Sequence, residues 1–309
     1  MQEILKLKPV FQERIWGGTK LRDYFGYDIP TESTGECWAI SAHKNGDCEV
    51  TNGPLRGKHL SEVYKDHPEL FGGAKSSVFP LLTKILDAKE DLSVQVHPDD
   101  EYARREENAL GKTECWYIID CEEDARMIYG HTAETKDELS RMMDEGEWDN
   151  LLESVKIRPG DFFYVPSGTI HALCKGTLVL ETQQSSDVTY RVYDYDRMDD
   201  KGQKRELHME EAKKVLSVPH KGNSIVPETF KEENMTRTRY VSSSYFTVEK
   251  WITEGEAVKE IEEYKLVSVL GGQGNVNGIP MIKGDHFILT SACKKVKFEG
   301  NLEMMVSWI

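Results

Sequence analysis

The chain has 309 residues, enough for about two domains and a sizeable core, and its apolar fraction of 39% fits a globular protein. Asp and Glu number 54 against 39 Lys and Arg, a formal net charge of −15, which argues against a nucleic-acid partner because such a surface carries a basic excess. The first residues lack an apolar signal core, no charge-free stretch reads as a membrane helix, and six cysteines form no Cys-x-x-Cys pair, so we expect a cytoplasmic protein with reduced thiols and no membrane partner. An anionic substrate would need a cationic pocket set into this acidic surface.

In chain order, the elements predicted are mostly short strands at 37–43, 79–87, 92–97, 114–120, 162–165, 177–183 and 189–195, rich in β-branched and aromatic residues and separated by turns. Such a series makes the fold mainly β, a sandwich or barrel with helical insertions. Helices are predicted at 61–70, after Thr135, and at 208–216. Thr135 and Glu138 fit a capping box, and Leu139, Met142 and Met143 have helical spacing. The run 219–238 is polar without clear periodicity and reads as a connector before strands resume near Tyr245. One echo links the halves: Ile157-Arg-Pro-Gly-Asp-Phe-Phe and Ile282-Lys-Gly-Asp-His-Phe each read as a tight turn feeding an apolar strand. A histidine follows at residue 171 in the first copy, and none follows at the matching place in the second. The economical inference is one barrel type used twice, with metal only in the first.

Side chains alternate between the faces of a strand. Over 92–97 this puts Leu92, Val94 and Val96 on a core face and Ser93, Gln95 and His97 on a polar row facing a cavity. Pro98 cannot donate to a ladder, so His97 sits at the rim. His171 follows Pro-Ser-Gly-Thr-Ile and starts a strand near the same mouth, and Glu114 opens another. Two imidazoles and a carboxylate are ligands for a divalent metal such as zinc, and the Gln95 amide oxygen can join them. Singly, a histidine before proline or a glutamate at a strand start is ordinary surface; the joint pattern is what is specific. Cys115 and Cys174 adjoin these positions and read as small wall residues.

The Gly-Asp…Pro-x-Gly-x-x-His block resembles the second cupin motif. Gln95-Val-His-Pro-Asp followed by Gly111-Lys-Thr-Glu resembles type I mannose-6-phosphate isomerases, most nearly their short bacterial form. The likeness extends to Ile15-Trp-Gly-Gly, Gly35-Glu-Cys-Trp, Pro80-Leu-Leu-Thr-Lys and Leu180-Glu-Thr-Gln-Gln-Ser-Ser-Asp-Val-Thr-Tyr-Arg, and covers most of residues 10–200 in order. It implies two cupin-type jelly-roll barrels with short helical insertions. We expect a catalytic one over 1–235 and a metal-free one over 236–309. It implies one zinc ion per chain on His97, Glu114 and His171, with Gln95 as a further ligand in the longer relatives. It implies a reaction that interconverts mannose 6-phosphate and fructose 6-phosphate through an enediol.

The family's functional arginine corresponds to Arg191, and Lys84, Lys112 and Glu181 match pocket positions. We therefore expect Arg191, Lys112 and Glu181 in catalysis, with the proton carrier left open among Glu181, Lys112 and a metal-bound water. Lys84, Trp16 and Ser93 are expected to contact substrate, although a tryptophan more often fills core space and a strand arginine more often forms a surface ion pair, here with Asp187, Asp194 or Asp196. The expected partner is a small sugar phosphate, and the expected state a monomer or weak homodimer. Two rivals are an iron oxygenase using the same ligand set and a sugar-binding barrel without activity; the Trp-Gly-Gly, Lys-Thr-Glu and Thr-Tyr-Arg segments favour the isomerase.

Overall fold

The computed structural model describes residues 1–74, 76–198, 202–222 and 225–309. Three β-sheets are stacked so that the middle one is covered on both faces. That middle sheet runs in the order Phe162–Val165, Glu114–Cys121, Thr177–Gln184, Leu81–Ala88, Thr34–Ile40, Val10–Gly18. Every residue of Leu81–Ala88 and Thr177–Gln184 is buried, as a doubly covered sheet requires. On one face, Leu178, Leu180, Ile85 and Tyr117 pack with Phe246, Val248, Leu266, Ile288 and Met305 of a nine-stranded sheet. On the other face, Trp16, Leu86, Trp116, Ile118 and Val179 meet Met127, Tyr129 and Leu173 of a five-stranded sheet.

The five-stranded sheet runs Leu152–Lys156, Arg126–His131, His171–Leu173, Val94–Val96, Tyr190–Tyr193. Its outer face, with Val94, Val96, Ala172 and Val192, is covered by Leu139, Met142 and Met143 of helix Lys136–Asp144 and by Ala212 of helix Met209–Val215. Its inner face carries Gln95, His171 and Arg191 beside the apolar Met127, Tyr129 and Leu173.

The nine-stranded sheet takes strands from both sides of residue 235: Ile4–Lys8 pairs with His286–Leu289 and with Glu49–Val50. Val267, Phe287, Leu289, Met304 and Val306 form a separate apolar cluster on its far face.

Most expected strands are present with ends shifted by a few residues. The strand expected over 92–97 is shorter, Val94–Val96, so His97 lies just beyond it. The helix expected at 61–70 is split into Leu60–Asp66 and a 3-10 turn Pro68–Phe71, because Pro68 lacks the N–H that would continue it. Helices Lys20–Phe25, Asp100–Glu106 and Trp148–Leu151 were not expected; at two turns or less they carry no periodic pattern. The stretch read as connector over 219–238 holds strand Glu228–Glu232 and the start of Met235–Ser242. Glu228–Glu232 ends the nine-stranded sheet and is mostly exposed, so its residues stay polar and hide the pattern; residues 223 and 224 of that stretch lie outside the described residues.

The two Gly-Asp turns match in detail. Gly160 has φ 95° and Gly284 φ 91°. Asp161 Oδ2 accepts from Arg158 N at 2.8 Å, and Asp285 Oδ2 accepts from Ile282 N at 2.9 Å.

Candidate active site

His97, Glu114 and His171 come from two facing sheets. His171 begins a strand of the five-stranded sheet, His97 follows its neighbour Val94–Val96, and Glu114 begins a strand of the middle sheet. One ligand atom from each lies within 4.8 Å of the others. The His97 Nε2–Glu114 Oε2 distance is 3.5 Å and the His171 Nε2–Glu114 Oε1 distance 3.3 Å. All three are essentially sealed from bulk solvent, at 1%, 0% and 1% exposure for His97, Glu114 and His171.

The backbone fixes both rings. Nδ1 of His97 lies 2.9 Å from Val188 O, and Nδ1 of His171 lies 2.8 Å from Thr169 O. A carbonyl can only accept, so each Nδ1 carries the proton and each Nε2 lone pair points inward. Burial, then the Lys112 charge, lowers the proton affinity of both rings, His171 to about 4. They are neutral imidazoles, the form that ligates a metal. Neither Glu114 oxygen has a hydrogen bond of good direction, although Lys112 Nζ lies 2.6 Å from Oε2. Two inward lone pairs and an unsatisfied buried carboxylate are a donor set that fits a divalent cation. Among the described residues this is the one group of three such side chains close enough to hold an ion.

Strand register lays out the rest. Across the five-stranded sheet, His171 is paired with Gln95 and Gln95 with Arg191. Across the middle sheet, Trp116 is paired with Glu181, Glu181 with Lys84, and Lys84 with Trp38. Gln95 and Arg191 of the first row and Trp116, Glu181 and Lys84 of the second line one cleft of about 340 Å³ with Trp16, Ser93, Lys112 and Arg205, and the three clustered ligands lie buried behind its Lys112 wall. Gln95 Nε2 sits 3.5 Å from His171 Nε2, and a half-turn of the amide would present its oxygen there instead. Lys112 Nζ also reaches His97 Nε2 at 3.0 Å and Glu181 Oε1 at 3.9 Å. Burial would release the Lys112 proton, but the Glu114 and Glu181 carboxylates hold it on. Glu181 is also pushed upward, by burial and by the Glu114 charge, while Trp116 Nε1 donates to its Oε2 at 2.9 Å.

Arg191 is half-buried. Its Nε donates to Ser93 Oγ at 3.2 Å and its Nη1 to Glu206 O at 2.8 Å. Among the described residues it forms no ion pair; Asp194 is engaged by Arg197 and Arg205. Trp16 is buried in the core cluster between the sheets and shows one edge to the cleft. A larger hollow of about 690 Å³ lies beyond Asp187, lined by residues such as His43, Tyr64 and Arg104, and none of Lys112, Glu181 and Arg191 lines it.

Comparison with known proteins identifies the family. Residues 4–139 match the family model for the phosphomannose isomerase type I catalytic domain, and residues 236–309 that for the mannose-6-phosphate isomerase cupin domain. The mannose-6-phosphate isomerase ManA of Bacillus subtilis (strain 168) is 53% identical over 311 residues, covering 99% of this chain and 98% of that protein. The chain belongs to the mannose-6-phosphate isomerase family of enzymes. A crystal structure of the mannose 6-phosphate isomerase from Bacillus subtilis superposes with a TM-score of 0.97 at 54% identity, covering 100% of both chains. A zinc-bound mannose 6-phosphate isomerase shares the fold, with a TM-score of 0.82 at 14% identity over 99% of both chains.

Several cleft residues were not singled out from sequence. Glu36 lies beneath Lys84, its Oε2 3.7 Å from Lys84 Nζ, and accepts from Arg14 Nε at 2.8 Å and Trp38 Nε1 at 2.6 Å. Burial would raise the Glu36 pKa, but Lys84 and Arg14 bring it down to about 2. Arg14, Trp116 and Arg205 also border the cleft. The Glu-Cys-Trp repeat at residues 36 and 114 was the available signal, since both glutamates face the site beside a tryptophan.

Proposed function

We propose that this family member is a zinc-dependent aldose–ketose isomerase that interconverts mannose 6-phosphate and fructose 6-phosphate through an enediol. The observation that carries the reading is that Lys112, which lines the cleft with Glu181 and Arg191, reaches back to the buried His97–Glu114–His171 donor set, its Nζ 2.6 Å from Glu114 Oε2 and 3.0 Å from His97 Nε2. His97, Glu114 and His171 would hold the zinc, one ion per chain, with Gln95 positioned to join them. When bound, zinc supplies Lewis acidity that polarises the oxygens on the two reacting carbons.

The remaining steps belong to the protein. Glu181, whose proton affinity is raised, takes the proton from one carbon and returns it to its neighbour. Lys112 stays protonated and balances the charge that develops on the sugar oxygens. Arg191, steadied by Ser93 and the Glu206 carbonyl, supplies a planar fork of donors to the enediolate or the phosphate. Trp16 and Trp116 wall the cleft and limit water. Lys84 lies across the floor, held by Glu36, to meet substrate hydroxyls.

We assign catalysis to residues 1–235 and read 236–309 as a metal-free cupin-type jelly roll; the cupin-domain match over 236–309 and the repeated Gly-Asp turn support that division. A coupled assay of mannose 6-phosphate conversion, run before and after chelation and again with zinc restored, tests the function. Activity lost with the metal and regained with zinc is expected; turnover indifferent to chelation, or binding of the sugar phosphate without isomerisation, would overturn it.

A further inference from the structure

The two ends of the cleft hold their charges differently. At the metal end Lys112 is matched by Glu114 and Glu181. At the other end stand Arg191 and Arg205, with Arg197 close behind them. Asp194 grips Arg205 in a fork, Oδ2 to Nε at 2.7 Å and Oδ1 to Nη2 at 2.5 Å. The same carboxylate also takes Arg197 Nη2 at 2.5 Å. Two guanidiniums therefore share one carboxylate while Arg191 beside them forms no ion pair among the described residues, and the surplus suits a doubly charged anion. The fork on Asp194 uses two of the five N–H groups of Arg205 and freezes its plane, so little further order is lost on binding a ligand. Arg205 is also tied to Arg191 through the chain, since the next residue, Glu206, lends its carbonyl to Arg191 Nη1 at 2.8 Å.

We propose that Arg205 binds the phosphate group of the sugar phosphate beside Arg191, with Asp194 as the residue that positions it. This rests on the isomerase reading above. The phosphate end of the substrate lies at the Arg205 wall and the reacting carbons at the metal end. Asp194 acts through Arg205 and touches no substrate.

The test uses the full-length, zinc-loaded protein and its Arg205→Ala, Arg205→Lys and Asp194→Asn variants. Steady-state kinetics with mannose 6-phosphate are paired with calorimetric titration of inorganic phosphate. Arg205→Ala should raise KM about 10- to 100-fold, as loss of a charge-assisted contact does. It should leave kcat nearly unchanged and weaken phosphate binding by a similar factor. Arg205→Lys should recover part of both, and Asp194→Asn should show a smaller change of the same kind. Unchanged KM and unchanged phosphate binding in Arg205→Ala would overturn the assignment, as would a fall in kcat at constant KM, which would make Arg205 a support for Arg191. Wild-type protein that binds phosphate in an Arg205-dependent way but isomerises nothing would refute the isomerase reading and leave Arg205 in place.

Discussion

Arg191 and Glu36 are both charged and both border the cleft, yet their surroundings assign them different work. Arg191 is held by neutral acceptors, Ser93 Oγ and Glu206 O, so its charge is left for a ligand. We expect Arg191→Ala to keep its zinc and lose kcat by about 10²-fold or more, the usual cost of removing a donor aimed at developing negative charge; turnover at the wild-type rate with zinc in place would remove it from catalysis. Glu36 is spent on Arg14, Lys84 and Trp38. Glu36→Gln removes one of three carboxylates within 4.0 Å of the buried Lys84 ammonium, with Glu181 and Asp187 left beside it, and should cost about 1–3 kcal/mol in urea denaturation. Its folded pKa of about 2 lies below the ordinary 4.5, so this stabilisation is full above about pH 4.5 and fades as pH falls toward 2. His97, Glu114 and His171 were legible because each sits in a short motif with its own turn or strand signal. Glu36 and Arg205 were not, because their meaning arises only when distant strands and loops meet.

Helix starts and tight turns were the most readable elements, and they were readable through single residues. Thr135 caps helix Lys136–Asp144 by accepting from Glu138 N, as expected. The other half of the capping box differs: Glu138 reaches Glu134 N instead of the Thr135 amide. Thr135→Ala should therefore cost about 1 kcal/mol of stability through the lost cap alone, read as a lowered melting midpoint. The two Gly-Asp turns give a paired forecast. Both glycines have φ near 90°, which an L side chain rarely adopts. A Cβ on Gly160 would meet nothing within 4 Å, whereas one on Gly284 would lie 3.1 Å from the Tyr27 ring. Gly160→Ala should cost about 1–2 kcal/mol, and Gly284→Ala clearly more; equal losses would mean that backbone strain alone decides both. Strand ends and two-turn helices were less legible, because their limits are set by pairing and packing that one segment does not record.

At the scale of the whole molecule, stacking three sheets seals polar groups inside, and those groups set how the fold responds to acid. His286 lies within the nine-stranded sheet, with its ring nitrogens 2.7 Å from Tyr27 Oη and 2.9 Å from Ser268 Oγ. Burial lowers its pKa from 6.5 to about 3. Below about pH 6.5 the unfolded chain takes up a proton there that the folded chain refuses. Stability is thus full above that pH and falls by up to about 1.4 kcal/mol per pH unit toward pH 3. His286→Asn should show a shallower acid slope than wild type in melts at a series of pH values; identical slopes would exclude the contribution. The mainly β character and the helical insertions were readable from the sequence; that two of those helices cover one sheet face was not. The stacking was not, since near-continuous burial of Leu81–Ala88 resembles any apolar run until its two partners are seen.

The most direct measurement is an anomalous difference map at the zinc absorption edge from crystals of the zinc-loaded protein. One peak is expected, within about 2.0–2.2 Å of His97 Nε2, His171 Nε2 and a Glu114 oxygen. Density for these side chains with no peak between them, or a peak bound elsewhere, would contradict the assignment of this cleft as the catalytic metal site.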